Sequence, residues 1–195
     1  MRKIFLLLCL LFGAVFGGDE IVLESANAYK SVIRKSNAPA AALVQTSWAI
    51  VIVPSFYRGG FMLGGGGGKG VMIEKSPNGM WENISAVGIG GANIGLQAGF
   101  ENNSIVLFIL KKEIAQDIKR GKFTISSELA ASLGDFSAST NYTNELSFTR
   151  SIYAYSSNIG IFAGGSLGGA IIGARDEVLS TSSYGFGELV RAIGE

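Results

Sequence analysis

The sequence predicts an α+β fold: a mainly antiparallel β-sheet or barrel-like core with glycine-rich hairpins, an N-terminal amphipathic helix and short flanking helices. Apolar residues recur with helical spacing only near the N-terminus and in short later segments. Elsewhere they alternate with polar residues or form short continuous runs, which is typical of strands. The 28 glycines, about twice the usual share, lack the third-residue period of collagen and separate these runs.

The four predicted helices are residues 19–36, 40–46 and 111–120 and a short closing helix around Leu189 and Ile193. The first is amphipathic, because one face collects Val22, Ala26, Tyr29 and Ile33. Its last turns carry basic residues, which complement the negative end of the helix dipole. Gly121 is the expected stop of the third helix, since glycine readily adopts the conformation that ends a helix.

The strands are predicted over residues 48–53, 61–63, 71–74, 104–110, 123–133, 136–142, 152–155 and 161–163, with two more in the uncharged stretch 83–100. Pro54 is expected to end the first strand. Turns are expected at residues 76–79 and at Gly134-Asp135. The glycine tract 64–68 reads as a hairpin loop or a site of close backbone packing. A change of apolar phase at Gly90-Gly91 indicates a bulge or a tight turn.

An internal similarity relates residues 60–65 to residues 160–165, at an offset of 100 residues. Both copies read as an apolar strand, a glycine-rich turn and a second apolar strand. Two copies are too few for a solenoid, so we expect a pseudo-symmetric pair of hairpins within one sheet.

The overall composition excludes several classes of protein. A hydrophobic content of 48% is too high for a disordered chain, and 195 residues fit one compact domain. The sequence contains no His, which removes Ser-His and Cys-His catalysis, His general bases and nearly every zinc site. The 16 basic and 15 acidic residues nearly balance, which argues against nonspecific nucleic-acid binding. We therefore predict no enzyme, no cofactor, no metal and no nucleic-acid partner.

The first 17 residues have the pattern of a secretory signal peptide. They combine a positive start, an apolar run and a cleavage-type end, formed by Arg2 and Lys3, residues 4–12, and Val15 and Gly17. The apolar segment is shorter than the roughly 20 residues that span a bilayer. We therefore expect a signal peptide over residues 1–17, a single domain over residues 18–195, and an exported protein that is periplasmic, envelope-associated or secreted.

Two glycine motifs match enzymatic or nucleotide-binding signatures, and turns account for both. Gly164-Gly165-Ser166-Leu167-Gly168 has the G-x-S-x-G pattern, but a serine nucleophile needs a general base and the chain has no His. Residues 65–70 match a dinucleotide fingerprint, but an apolar strand rather than a helix follows them. Gly70 also stands where a phosphate loop needs Ser or Thr.

Four further segments occur in a specific order and together span about residues 40–180. They are Tyr57-Arg58-Gly59-Gly60-Phe61-Met62-Leu63-Gly64-Gly65 with Gly68-Lys69-Gly70-Val71; Asn78-Gly79-Met80-Trp81; Val106-Leu107-Phe108-Ile109-Leu110; and Tyr153-Ala154-Tyr155 with residues 160–169. In this combination the chain resembles the SYLF domain family of lipid-binding domains, found in bacterial envelope proteins and in eukaryotic phosphoinositide- and actin-binding proteins. The resemblance implies a noncatalytic domain that engages membranes, with an antiparallel sheet core and flanking helices.

The resemblance also implies a set of residues that contact anionic phospholipid or a membrane surface. The basic ones are Lys30, Arg34, Lys35, Arg58 and Lys69, and we add Phe61 and Trp81 as apolar contacts. A Lys or Arg near an anionic surface contributes about 1 kcal/mol. On the residues alone, solvated charges on a core-packed helix are the alternative. Family members commonly carry an acidic residue in the last hairpin, where this chain has Leu167-Gly168.

A protein-interaction or assembly module is the second functional hypothesis. Such a module would pair an exposed sheet edge with a partner strand. The two hypotheses differ in their response to lipid, because only the first predicts salt-sensitive binding to anionic vesicles.

Overall fold

The computed structural model describes residues 2–36, 38–61, 63–92, 99–121, 123–125, 150–157 and 169–195. The seven strands in these ranges form one sheet in the order β5-β7-β3-β2-β1-β4-β6. Every neighbouring pair is antiparallel. The strands are β1 (Ala49–Phe61), β2 (Leu63–Lys75), β3 (Trp81–Ala92), β4 (Gly99–Ile109), β5 (Phe123–Thr124), β6 (Ile152–Ser156) and β7 (Ile171–Ala174).

The helices cover both faces of the sheet, which confirms the α+β prediction. In the described ranges they are α1 (Arg2–Ser36), α2 (Ala40–Thr46), α3 (Lys112–Lys119) and α4 (Tyr184–Gly194). One apolar cluster joins α1, α2 and α4 to Ile50 and Ile52 of β1, and the other joins α3 to Val51 and Val53. Because alternate residues of β1 point to opposite faces, both faces of this strand are buried.

Helix α1 is longer than predicted, because the backbone of residues 2–18 continues the helix expected over residues 19–36. Residues 2–17 of the predicted signal peptide therefore lie in the first turns of α1. Among the described residues, none of the helices is both long enough and apolar enough to cross a bilayer.

The prediction that Pro54 ends the first strand is wrong, since β1 continues to Phe61. The pairing of β1 with β2 shifts between Ile52 and Ser55, which places Pro54 in a β-bulge. A bulge accommodates proline because it leaves the extra residue outside the regular ladder of hydrogen bonds. Opposite this bulge, a Cβ built on Gly70 would lie 2.0 Å from the Ile52 carbonyl oxygen, so only glycine fits there.

The glycine tract 64–68 is not a loop, because it lies inside β2 and pairs with β1 and β3. The bulge or turn expected at Gly90-Gly91 is also wrong. Gly67 pairs with Gly90 and Gly66 pairs with Gly91 in unbroken register. Glycine carries no side chain to mark a face, so the apolar alternation fades here although the backbone pairing continues.

Several other predictions are confirmed. Helix α2 has the predicted bounds. Gly79 in the turn after β2 and Gly121 after α3 both have positive φ, 85° and 67°. Leu189 and Ile193 of α4 are buried. Strand β4 lies between β1 and β6, and its residues Ile105–Ile109 are fully buried. The predicted hairpin at Gly134-Asp135, the strand at 161–163 and the motif at 164–168 lie outside the described residues.

Candidate functional site

Two of the predicted basic residues, Lys30 and Arg34, line a groove between α1, α2 and α4. The groove has a volume of about 490 Å³. Its apolar walls come from all three helices and are formed mainly by Ile33, Ala40, Ala41, Val44, Ala192 and Ile193. Since Lys30 and Arg34 are one helical turn apart on α1, both cations stand on the same side of an apolar surface.

The charges around this helix groove are largely open to solvent. The Lys30 ammonium lies 3.2 Å from Oε2 of Glu195, and both side chains are about half exposed. Such an exposed pair contributes little to stability. Arg34 and Lys35 are exposed, and neither forms an ion pair within the described part of the chain. The end of α1 therefore presents positive charge that is only partly neutralised.

A buried aromatic cluster lies at the base of the helix groove. Tyr29 packs edge-on against Phe108, with ring centroids 6.3 Å apart, and Phe108 does the same with Tyr155 at 5.8 Å. Burial raises the pKa of Tyr29 to about 12. Burial, and to a smaller extent the neighbouring Tyr153, also raise the pKa of Tyr155 above its ordinary value. These rings anchor α1 to the sheet and hold Lys30 and Arg34 in place relative to α2 and α4.

Lys69 lies in a second groove, which has a volume of about 730 Å³. This groove is on the sheet face that α1 covers, next to residues 21–24 of α1. Ile21 and Glu24 of α1 form one wall. Residues of β1, β2, β3 and β7 form the floor, and Arg175, just after β7, completes it. Sequence reasoning missed Arg175, whose only signal is a lone cation directly after the apolar run 170–174.

Trp81, predicted as an apolar lipid contact, is half-buried and packs against the cluster beneath α1. It pairs with Lys75 across the β2–β3 ladder, and the Lys75 ammonium lies 4.9 Å from the centre of its ring. The same ammonium donates hydrogen bonds to the carbonyl oxygens of Val44 and Gln45 at the end of α2. Trp81 therefore contacts a cation that caps a helix.

Arg58 and Phe61 lie near the end of β1. The Arg58 backbone pairs with Gly66 on one side and Glu101 on the other, and Phe61 pairs with Leu63. Their side chains lie outside the described residues. The predicted residues thus do not form one patch: Lys30 and Arg34 line the helix groove, Lys69 lines the second groove, and Trp81 is elsewhere.

The described residues hold no group of three His, Cys, Asp or Glu side chains that could bind a metal ion. The acidic pair Glu113 and Asp117 lies on α3, where Asp117 pairs with Arg120 at 3.7 Å. Each groove is lined by apolar residues together with two cations and one carboxylate.

Comparison with known proteins identifies relatives of this chain. SH3 domain-containing YSC84-like protein 1 of Homo sapiens is 27% identical over 124 residues, which is 63% of this chain and 36% of that protein. Protein YSC84 of Saccharomyces cerevisiae is 28% identical over 123 residues, 62% of this chain and 26% of that protein. The chain thus spans about a third or less of these relatives. No solved structure matches it significantly.

A family model described as Ysc84, Las17-binding protein actin regulator, matches residues 90–187. The match begins within β3 and ends within α4, so it includes β4, α3, β5, β6 and β7. It covers 98 of the 195 residues. The chain therefore belongs to the Ysc84 family, the SYLF family that its glycine-rich segments predicted.

Proposed function

We propose that this chain is a nonenzymatic domain that associates with membranes by binding anionic phospholipid, and that it does so in the cell envelope after export. The observation that carries the proposal is the helix groove, in which Lys30 and Arg34 border an apolar surface. A phospholipid has the matching chemistry, because its anionic headgroup adjoins apolar acyl chains.

The number of cations at the end of α1 agrees with weak membrane association. Lys30, Arg34 and Lys35 occupy the last two turns of α1, and each contributes about 1 kcal/mol next to an anionic surface. Association of this size is weak and depends on salt, because the interaction falls off within a Debye length of about 10 Å at 0.1 M salt. Glu195 partly opposes it by pairing with Lys30.

Export to the envelope rests on the signal-like pattern of residues 1–17, and it places the domain next to membrane surfaces. Las17 binding and actin regulation belong to the description of the family. For this chain, a lipid surface explains the basic end of α1 directly.

Sedimentation with phosphatidylglycerol vesicles tests the proposal. The variant Lys30→Ala/Arg34→Ala/Lys35→Ala is compared with Lys111→Ala/Lys112→Ala/Arg120→Ala, which removes the same charge around α3 on the opposite sheet face. We expect the first variant to bind about fivefold more weakly per lost cation and the control to match the unmodified chain. Residues 1–17 are present in every variant, so their contribution cancels in the comparison.

Two results would contradict the proposal. One is equal binding of both triple variants. The other is binding that is the same for neutral phosphatidylcholine vesicles and does not weaken with salt, since charge would then play no part.

Protein binding is the second candidate function, favoured by the family description as a Las17-binding protein. Strand β6 is the outermost strand at one end of the described sheet, where a partner strand could pair with it. Analytical ultracentrifugation distinguishes this candidate, because it predicts concentration-dependent self-association or a stable complex that is indifferent to lipid.

A further inference from the structure

The floor of the second groove is a part of the sheet that has few side chains. Two rows of paired residues cross it. One row is Ser55, Lys69, Gly88 and Gly173, and the other is Tyr57, Gly67, Gly90 and Ile171. Paired residues in neighbouring strands project from the same face, so the glycines of both rows leave an open floor on the side of α1.

Two cations flank Gly88 on this floor. Lys69 is the direct cross-strand neighbour of Gly88 on β2. From the other side, the Arg175 side chain lies across Gly88, with Cδ and Nη1 at 3.4 and 3.5 Å from the position that a Cβ would take. Within the described residues, neither the Lys69 nor the Arg175 side chain forms a hydrogen bond or an ion pair.

One carboxylate, Glu24 on the α1 wall, partly offsets these two cations. The lining keeps a net positive charge, and an anion held there would meet one planar guanidinium and one ammonium. A guanidinium matches the oxygens of a phosphate in pairs, whereas an ammonium acts as a compact point charge. The volume of about 730 Å³ is in the range of small-molecule sites.

We propose that this groove binds the phosphate monoester headgroup of a membrane lipid between Lys69 and Arg175. The charge favours a monoester over a diester, because a monoester carries about −1.5 to −2 at neutral pH and has three terminal oxygens. The assignment to a lipid rests on the proposed function. It is supported by the apolar rim of the groove, where Ile171 is 53% exposed beside the cations.

The bare floor gives a way to close the groove without removing a charge. A Cβ on Gly90 would meet only Gly66 O at 3.5 Å and Gly67 Cα at 4.0 Å, which are ordinary contacts. Gly90→Val therefore adds a side chain to the groove while the strand keeps its pairing, and a β-branched residue suits a strand.

The test measures binding of the full chain to phosphatidic acid vesicles and to phosphatidylglycerol vesicles adjusted to equal surface charge. We expect the unmodified chain to prefer phosphatidic acid by about fivefold or more, the factor that one additional ionic contact of about 1 kcal/mol gives. Lys69→Gln/Arg175→Gln and Gly90→Val should both lose this preference, and Gly90→Val, which removes no charge, should keep its binding to phosphatidylglycerol. The control Lys111→Gln/Arg120→Gln, again one Lys and one Arg but at the ends of α3, should keep it.

A second measurement follows amide NMR signals of Gly88 and Gly90 during titration with glycerol 3-phosphate, the soluble headgroup. Shifts at both glycines that vanish in Lys69→Gln/Arg175→Gln support the site. Shifts without any preference for phosphatidic acid vesicles overturn the assignment to a lipid. No preference and no shifts overturn the proposal entirely, while salt-sensitive binding to phosphatidylglycerol would still uphold the proposed function.

Discussion

The carboxylate oxygen Oδ1 of Asp19 accepts a hydrogen bond from the backbone N–H of Gly185 at 2.9 Å, although the two residues are 166 positions apart. The Ser183 hydroxyl accepts a second bond, from the N–H of Phe186, at 3.1 Å. Together they satisfy two of the N–H groups that a helix leaves unpaired at its start, and the carboxylate complements the positive end of α4. The domain's first helix thus caps its last.

Gly185→Ala should destabilise this junction. A Cβ there would lie 2.5 Å from the Asp19 carboxylate and 2.9 Å from the Asp19 carbonyl oxygen, so α1 and α4 would have to separate. We expect a loss of about 1–3 kcal/mol in the free energy of unfolding, measured by chemical denaturation. Gly187→Ala is the matched control, because its Cβ would meet open space and should instead stabilise α4 by about 0.5–1 kcal/mol. Equal effects of the two changes would refute this account.

Gly70→Ala should be more damaging than Gly185→Ala. The new Cβ would lie 2.0 Å from the Ile52 carbonyl oxygen, inside the core of the β1–β2 pair. We expect a loss of about 3 kcal/mol or more in unfolding free energy, since backbone atoms cannot move aside as side chains do. Gly65→Ala is the control, because its nearest neighbour would be Gly91 O at 3.6 Å. A stable Gly70→Ala protein with unchanged melting would disprove the close approach.

Lys75→Met should loosen α2. It removes the ammonium that bonds to the carbonyl oxygens of Val44 and Gln45 and that lies over the Trp81 ring. We expect a loss of about 1–2 kcal/mol in unfolding free energy, together with a changed tryptophan fluorescence spectrum. The corresponding change at the exposed Lys35 should leave both measurements unaltered. A Lys75→Met protein as stable as the unmodified chain would mean that the cap contributes nothing.

The protein should lose stability in alkali because of Tyr29. Its pKa is raised from an ordinary 10.0 to about 12, so above pH 10 the unfolded chain releases a proton that the folded chain retains. Stability then falls as the pH rises from 10 toward about 12, by at most about 1.4 kcal/mol per pH unit from this residue. Tyr29→Phe should flatten this decline in denaturation curves recorded across that range. The exposed Tyr184→Phe serves as the control, and an identical decline in both variants would argue against burial of the Tyr29 hydroxyl.

Glu195→Gln should strengthen membrane association by releasing Lys30 from its 3.2 Å ion pair. Removal of one negative charge beside the helix groove is worth about 1 kcal/mol at an anionic surface, or about fivefold in binding to phosphatidylglycerol vesicles. Glu113→Gln makes the same charge change on α3 and should have less effect. If both variants gain equally, only net charge matters and the groove does not.

The sequence predicted those elements whose signals are local. Helix α2 and the end of α3 at Gly121 follow from apolar spacing and from glycine's preference at helix ends. The extent of β1 and β2 could not be read in this way. Glycine gives no facial pattern, and the bulge that retains Pro54 is visible only once Gly70 is seen opposite it.

The residues of the candidate sites were likewise predictable only where they are close together in the sequence. Lys30 and Arg34 were predictable as a pair because they are neighbours on one helix. Arg175 was not, because it reaches Gly88 only through the pairing of β3 with β7, whose partners Gly88 and Gly173 are far apart in the chain. The spacing of apolar residues within one strand does not show which distant strand it pairs with.

The bulge at Pro54 has a consequence for how the β1–β2 hairpin aligns. Residues 64–68 are all glycine, so they have no side chains that distinguish one pairing register from another. A slip of two residues would therefore change no side-chain contact made by this stretch. The extra residue in β1 fits only where Gly70 lies across from it. One backbone irregularity thus fixes the alignment that a row of identical residues leaves undetermined, and with it the pairing of Lys69 beside Gly88.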